Sequence, residues 1–241
     1  MHIEKFLIAG GNPTLLIWGC PEDKQVSLSK QYLESGDAEQ VGFISHENGV
    51  MYLTMMGNEL CINASLALAS VSGAGGSFFT RGIDYLVSYT KNEWTTIDLR
   101  LPFKHDGNTV LFDGIGFSCY NHKVTVSKEK VIELAKHFNL PAFGIITCIN
   151  NKITPYVYVV DTGLLIGESA CGSGSIAASV IFGFDDIIQP SGETIRIKRK
   201  GNVFTVSAQV RVVPDQSPNP DIKTTNKQYA KSDSTNGTHE R

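Results

Sequence analysis

Two short segments of this 241-residue chain carry the same pattern around a cysteine. Residues 57–67 read GNELCINASLA and residues 167–177 read GESACGSGSIA. Aligned on Cys61 and Cys171, each has glycine four positions before the thiol and serine four after. Leucine or isoleucine follows at five and alanine at six. In each segment the thiol opens a small-residue run with helical character. The cysteines lie 110 residues apart, about the length of a small domain. An internal structural duplication follows, with one cysteine-initiated helix in each unit.

The remaining pattern agrees with two units rich in short strands. In the first, residues 6–9 and 14–18 read as a hairpin around Gly10-Gly11-Asn12-Pro13. Residues 24–34 have helical spacing with Asp23 as the expected cap. Residues 40–45 and 50–55 read as strands joined at Asn48-Gly49. The small-residue helix covers 62–72 and stops at Gly73, Gly75 and Gly76. Residues 85–90, 95–101 and 109–112 are further strands. In the second unit, 123–126 reads as a strand and Ser127 caps a helix over 128–138, stopped by Asn139 and Pro141. Residues 143–149 and 156–160 are strands, 172–184 is the second small-residue helix, and 193–200 with 203–213 forms a hairpin. The expected division is 1–118 for the half carrying Cys61 and 119–213 for the half carrying Cys171. Residues 214–241 form a polar tail read as disordered, because large apolar residues nearly vanish there.

A net charge of −3 gives no reason to expect nucleic acid or an anionic membrane as partner. No apolar run approaches the length of a membrane span, and Met1-His2-Ile3-Glu4 does not open a signal peptide. The expected compartment is the cytoplasm. Five cysteines without a CxxC pair argue against a disulfide framework or a zinc ribbon. Cys20, Cys119 and Cys148 read as small core filler. The six histidines show no metal-ligand spacing, so no metal is expected.

A helix N-terminus has unpaired N–H groups and a positive dipole end. A thiol placed there is expected to have a lowered pKa, and the N–H groups bind carboxylates. Gly172-Ser173-Gly174 allows close backbone approach to an anion. Asn63 and Ser173 occupy matching positions and add donors. The sum is an anion pocket flanked by two thiols. It suits proton abstraction from a carbon beside a carboxylate. One thiol acts as base on one face, the other as acid on the opposite face, and the roles swap in the reverse direction. The N–H groups stabilise charge spreading onto the carboxylate.

These two segments resemble the signatures of cofactor-independent amino-acid racemases and epimerases of the diaminopimelate epimerase fold. The resemblance covers nearly the whole chain apart from the tail, with support from Asn12 and from Gln189-Pro190-Ser191-Gly192 after the second helix. It implies an α+β fold of two pseudo-symmetric halves, each a strongly curved sheet around a central helix, with Cys61 and Cys171 catalytic in the cleft. It implies no cofactor, a small amino-acid substrate, and room for a homodimer. Diaminopimelate epimerases carry a Glu-Arg pair about eight residues before the second cysteine. Here that region is Asp161-Thr162-Gly163-Leu164-Leu165-Ile166, without arginine, which argues against diaminopimelate. The chain looks more like the histidine racemases of opine-metallophore biosynthesis. The likeness lies in residues 39–44, in Gly57-Asn58-Glu59 and in residues 164–168. The implied substrate-binding residues are Asn12, Glu39, Asn58, Ile62, Asn63, Glu168, Gly172 and Ser173. Glu39 is either a substrate contact or a solvated loop residue. The family has glycine directly after the first cysteine. Ile62 stands there instead, so the carboxylate cradle is expected to be altered on that side.

Three other readings compete with the racemase. Diaminopimelate or another amino acid could be epimerised. An isomerase of the phenazine-biosynthesis type shares the duplicated fold but lacks the paired cysteines. A catalytically impaired amino-acid-binding relative would keep the cleft and lose turnover, with Ile62 as its best support.

Overall fold

The computed structural model describes residues 1–214. The expected tail, 214–241, lies outside the described residues apart from Pro214. The fold is α+β and dominated by sheet. Its first run of elements is β1 (His2–Ile8), β2 (Gly11–Trp18), α1 (Glu22–Glu34), β3 (Gln40–Glu47), β4 (Val50–Met55), α2 (Ile62–Val71), β5 (Gly75–Thr80), β6 (Leu86–Lys91) and β7 (Thr95–Arg100). A short β8 (Phe103–Asp106) follows. The second run is β9 (Thr109–Phe112), β10 (Ile115–Tyr120), α3 (Lys128–Phe138), β11 (Ala142–Ile149), β12 (Lys152–Val159), β13 (Leu164–Gly167), α4 (Gly172–Phe182), β14 (Asp186–Ile188), β15 (Thr194–Lys200), β16 (Val203–Ala208) and β17 (Val210–Val213).

Strand pairing follows one order in both runs. From β1 to β7 the neighbours pair antiparallel, parallel, antiparallel, parallel, antiparallel and antiparallel. From β9 to β16, taking β14 as the partner of β12, the order is the same. β16 pairs with β7 and joins the runs, while β17 returns to β1. The expected boundary between residues 118 and 119 therefore falls inside β10, and the last strand belongs to the ladder of the first.

The small-residue helices sit inside these wraps. α2 packs against β1, β2, β3 and β7, and every residue from Ile62 to Ser70 is buried. α4 packs against β10, β11 and β15 and is buried from Gly172 to Ser179. A helix surrounded by sheet has no face for a charged side chain, which explains the Ala, Ser and Gly content. Burial of Ile62, Leu66 and Leu68 stabilises this placement by roughly 1.5–3 kcal/mol each. α1 and α3 lie outside, against β3 and against β11 and β12. Ser127 caps α3 by accepting from Lys130 N–H at 3.4 Å, and Asn139 ends it in the left-handed region at φ 52°.

Three local expectations are corrected. Pro21, not Asp23, occupies the N-cap of α1, without a side-chain cap; Asp23 lies in the first turn, where it meets the positive dipole end. Residues 123–126 form no strand. Val124 and Val126 alternate because they pack onto the α3 cluster around Val131, Phe143 and Tyr158. Residues 75–80, assigned only to the end of the helix, begin a strand. β8, β10, β13 and β14 were likewise not anticipated.

Candidate active site

The N-termini of α2 and α4 face each other. Cys61 and Cys171 are the N-cap residues, both with extended backbone. Each thiol does what a serine does at such a position: Cys61 Sγ accepts from Ala64 N–H at 3.4 Å and Cys171 Sγ from Gly174 N–H at 3.2 Å. The serines four residues on return hydrogen bonds to the cysteine carbonyls, Ser65 at 2.9 Å and Ser175 at 2.7 Å. The two ends also cap one another. Ile62 N–H donates to Ser173 Oγ at 3.4 Å, and Gly172 N–H donates to Asn63 Oδ1 at 2.9 Å. A Cβ on Gly172 would lie 2.4 Å from Ile62 Cγ2, so the glycine of one end makes the space that the isoleucine of the other fills. Ile62 is helical and needs no positive φ.

Between these ends lies a cavity of about 20 Å³, room for about one water molecule. Gln40, Glu59, Cys61, Asn63, Glu168, Cys171, Gly172 and Ser173 line it, with an apolar wall of Leu60, Ile115, Val157 and Val159. Two carboxyls enter this nearly dry space. Glu59 is 2% exposed; its Oε2 accepts from Gly57 N–H at 2.8 Å, and its Oε1 has no partner among the described residues. Glu168 is 4% exposed; Gln40 Nε2 donates to its Oε1, and its Oε2 is unpartnered. Burial pushes Glu59 up to about 7 and Glu168 up to about 8. Burial also raises both thiols, with the nearby Glu168 carboxyl adding to the effect. The lowered thiol pKa expected from the helix dipole is therefore corrected for this closed cavity. Loss of water outweighs the hydrogen bonds from the helix ends.

Of the expected binding residues, the structure brings Asn63, Glu168, Gly172 and Ser173 to the cavity with both thiols. Ile62 packs behind it. Asn12 and Glu39 stand one layer back. Glu39 accepts from Ser169 N–H at 2.8 Å, Ser169 Oγ at 2.6 Å and Asn12 Nδ2 at 3.0 Å. Asn12 Nδ2 also reaches the Ala170 carbonyl at 2.8 Å. Together they clasp the loop that delivers Cys171. Glu39 is thus neither at the cavity nor a solvated loop residue. Asn58 is exposed, in the left-handed region at φ 56°, and lies outside the cavity lining.

Sequence reasoning passed over three residues. Gln40 opens β3 directly after Glu39, and its side chain lines the cavity with the thiols while that of Glu39 turns to Ser169 and Asn12. Gln40 Oε1 accepts from Cys61 Sγ at 3.6 Å. Glu59 precedes Cys61 by two positions as Glu168 precedes Cys171 by three, a signal that the cysteine-centred alignment hides. Gln189 fixes the Cys171 end: its Oε1 accepts from Cys171 N–H at 2.8 Å and its Nε2 donates to Ser175 Oγ at 2.9 Å.

No protein-family model matches the chain. Curated histidine racemases from two strains of Fusobacterium nucleatum subsp. nucleatum are 29% identical to it. One aligns over 207 residues, 69% of this chain and 75% of its own length; the other over 203 residues, 69% and 76%. The crystal structure of a phenazine biosynthesis PhzF-family protein from Enterococcus faecalis superposes with TM-score 0.53 at 13% identity, covering 88% of this chain and 97% of that one. The structure of a predicted epimerase from Pseudomonas aeruginosa superposes with TM-score 0.62 at 9% identity, covering 88% and 96%. The chain is thus similar in sequence to histidine racemases and shares its fold with these PhzF-family and epimerase structures.

Proposed function

We propose that this protein inverts the α-carbon of an amino acid, histidine favoured, by a two-base mechanism that needs no cofactor. The observation that carries the reading is the pair of thiols that cap two facing helices on one cavity. In this reading the substrate carboxylate replaces the reciprocal caps from Asn63 and Ser173 and accepts from the helix N–H groups. The α-carbon then lies between Cys61 and Cys171. One sulfur removes its proton while the other delivers a proton to the opposite face. The helix ends stabilise the charge that develops on the carboxylate in the planar transition state. Glu59 and Glu168 have unpartnered oxygens for the α-ammonium group or a cationic side chain. Among the described residues no arginine or lysine lines the cavity, which disfavours an acidic side chain.

The same reading treats the chain as a duplication. One half is built around α2 and the other around α4, divided ahead of β8, with β17 lent back to the first. A cavity of about 20 Å³ cannot hold an amino acid, so substrate enters an opened form in which these halves part at their shared cleft.

The test is α-proton exchange in deuterated water together with chiral chromatography, run across the common amino acids with L-histidine first. Racemisation of histidine that disappears in Cys61→Ser and in Cys171→Ser is the expected result. Exchange with no amino acid sinks the reading; calorimetric binding without exchange would leave an amino-acid-binding protein in its place.

A further inference from the structure

A two-base racemase ends each turnover with its catalytic proton on the other side. The base has become a thiol and the acid a thiolate, and the next molecule of the same enantiomer needs the first arrangement again. The structure contains a hydrogen-bonded path from Cys61 to a carboxyl in the cavity it shares with Cys171. Cys61 Sγ lies 3.6 Å from Gln40 Oε1. Gln40 Nε2 donates to Glu168 Oε1, and the second oxygen of this carboxyl is unpartnered among the described residues, in the cavity that Cys171 also lines. Gln40 is buried on β3 and touches both sides of the cavity. An amide has one accepting and one donating end, so its orientation must match the protonation of both neighbours.

We propose that the Gln40 amide is a two-position switch that couples the proton on Cys61 to the proton on Glu168, and through Glu168 to Cys171. The inference rests on the two-cysteine reading above. In the observed orientation Cys61 S–H donates to Oε1, while Nε2 donates to Glu168 Oε1; when Glu168 is ionised, its unpartnered Oε2 is the oxygen that takes the Cys171 proton. When Cys171 sulfur takes the α-proton, its own S–H bond breaks and that proton passes to Glu168. The Cys61 S–H bond breaks as a new Cα–H bond forms on the opposite face. The site now holds a Cys61 thiolate, a Cys171 thiol and a protonated Glu168, with the same total charge. Half a turn of the amide suits this state: Nε2 donates to the thiolate and Oε1 accepts from the Glu168 O–H. The opposite enantiomer reacts from here. Otherwise the Glu168 proton returns to Cys61 across the cavity, which has room for one bridging water. Gln40 is thus a positioning residue, and its neutral amide lets one negative charge move between the two ends. Glu39 and Glu59 are the other acidic groups near Glu168, and both stay on the same side of the exchange.

The experiment compares the first turnover, by rapid quench, with steady-state racemisation in wild type, Gln40→Met and Gln40→Glu. Methionine keeps the volume and cannot link the two sides. Its kcat is expected to fall about tenfold or more, with the first turnover falling less than about threefold and the steady rate declining at high substrate. Glutamate, whose protonated carboxyl accepts at one oxygen and donates at the other, is expected to recover kcat to within about fivefold of wild type. First turnover and kcat falling by the same factor, or neither falling, would overturn the switch. Should the methionine variant not fold, Gln40→Leu, which also lacks a donor and an acceptor, takes its place and is read by the same two rates. A wild type without racemisation, or with full activity after Cys61→Ser, would instead refute the two-cysteine reading itself.

Discussion

The two helix ends share a backbone and differ in their side chains. Both thiols cap the third N–H beyond them, and both are followed four residues later by a serine bonded back to the cysteine carbonyl. Around Cys61 the neighbours are a bulky Ile62 and the neutral amide of Gln40. Around Cys171 they are Gly172, the carboxyl of Glu168, the amide of Gln189 on the backbone N–H, and the Asn12–Glu39–Ser169 clasp on the loop before it. A repeated backbone sets where two opposed groups can stand. The unlike neighbours decide which of them has a proton acceptor beside it.

The comparison breaks most completely if either thiol is removed. Cys171→Ser and Cys61→Ser are each expected to lower racemisation about a thousandfold or more, because serine is a far weaker base on the same site. The chiral assay reads this directly, and full activity in either variant refutes a paired mechanism. Next in size is the contact between the ends. Gly172→Ala would set a methyl against Ile62 and push the helix ends apart, costing about 1–3 kcal/mol and at least tenfold in activity. Adding Ile62→Gly to that variant removes the side chain that the new methyl meets. Recovery of activity in the double variant, relative to Gly172→Ala alone, identifies the pair as one packing unit; additive losses would mean that the two positions act independently.

Much of the arrangement was legible because its causes are local. α3 reads correctly from Lys128 to Phe138, since Ser127, the apolar stripe and Asn139 each act within one turn. The cysteine helices read well because their uniform small residues fit only a buried place. The strands that escaped notice are those whose pairing is nonlocal. β5 starts with two glycines, β14 has three residues, and β10 is buried on both faces and so shows no alternation. At the site, the cysteines stood out through their repeat. Gln40 did not, because its role comes from a contact with Glu168, 128 residues away. Glu39 drew attention in its place, one residue off, in the bend that leads into β3.

The two cavity carboxyls sharpen the comparison through pH. Glu168 is raised from 4.5 to about 8 and Glu59 to about 7, both by burial. Below pH 4.5 both are protonated whether the chain is folded or not, and neither opposes folding. As pH rises, the unfolded chain releases these protons first, so it binds fewer than the native state and stability falls with pH. The loss accumulates from about pH 4.5 to about 8 for Glu168 and ends near 7 for Glu59. Urea unfolding at pH 5 and pH 8 measures it. Glu168→Gln is expected to flatten the decline more than Glu59→Gln does. Equal slopes in wild type and Glu168→Gln would show that Glu168 ionises freely in the closed cavity.

The smallest effect belongs to a residue the sequence pattern placed at the substrate. Asn58 belongs to the loop that leads to Cys61, yet it is exposed and absent from the cavity wall. What its position requires is the left-handed backbone at φ 56°, which asparagine tolerates and glycine adopts freely. Its counterpart on the other loop is Glu168, which is not in that region. Asn58→Gly is therefore expected to leave stability within about 0.5 kcal/mol and the Michaelis constant unchanged. Asn58→Ala, which meets a steric penalty at positive φ, should cost about 1 kcal/mol with the same Michaelis constant. A Michaelis constant that rises several-fold in both variants would return Asn58 to the substrate and require the opened cleft to recruit the Cys61 loop as well as the Cys171 loop.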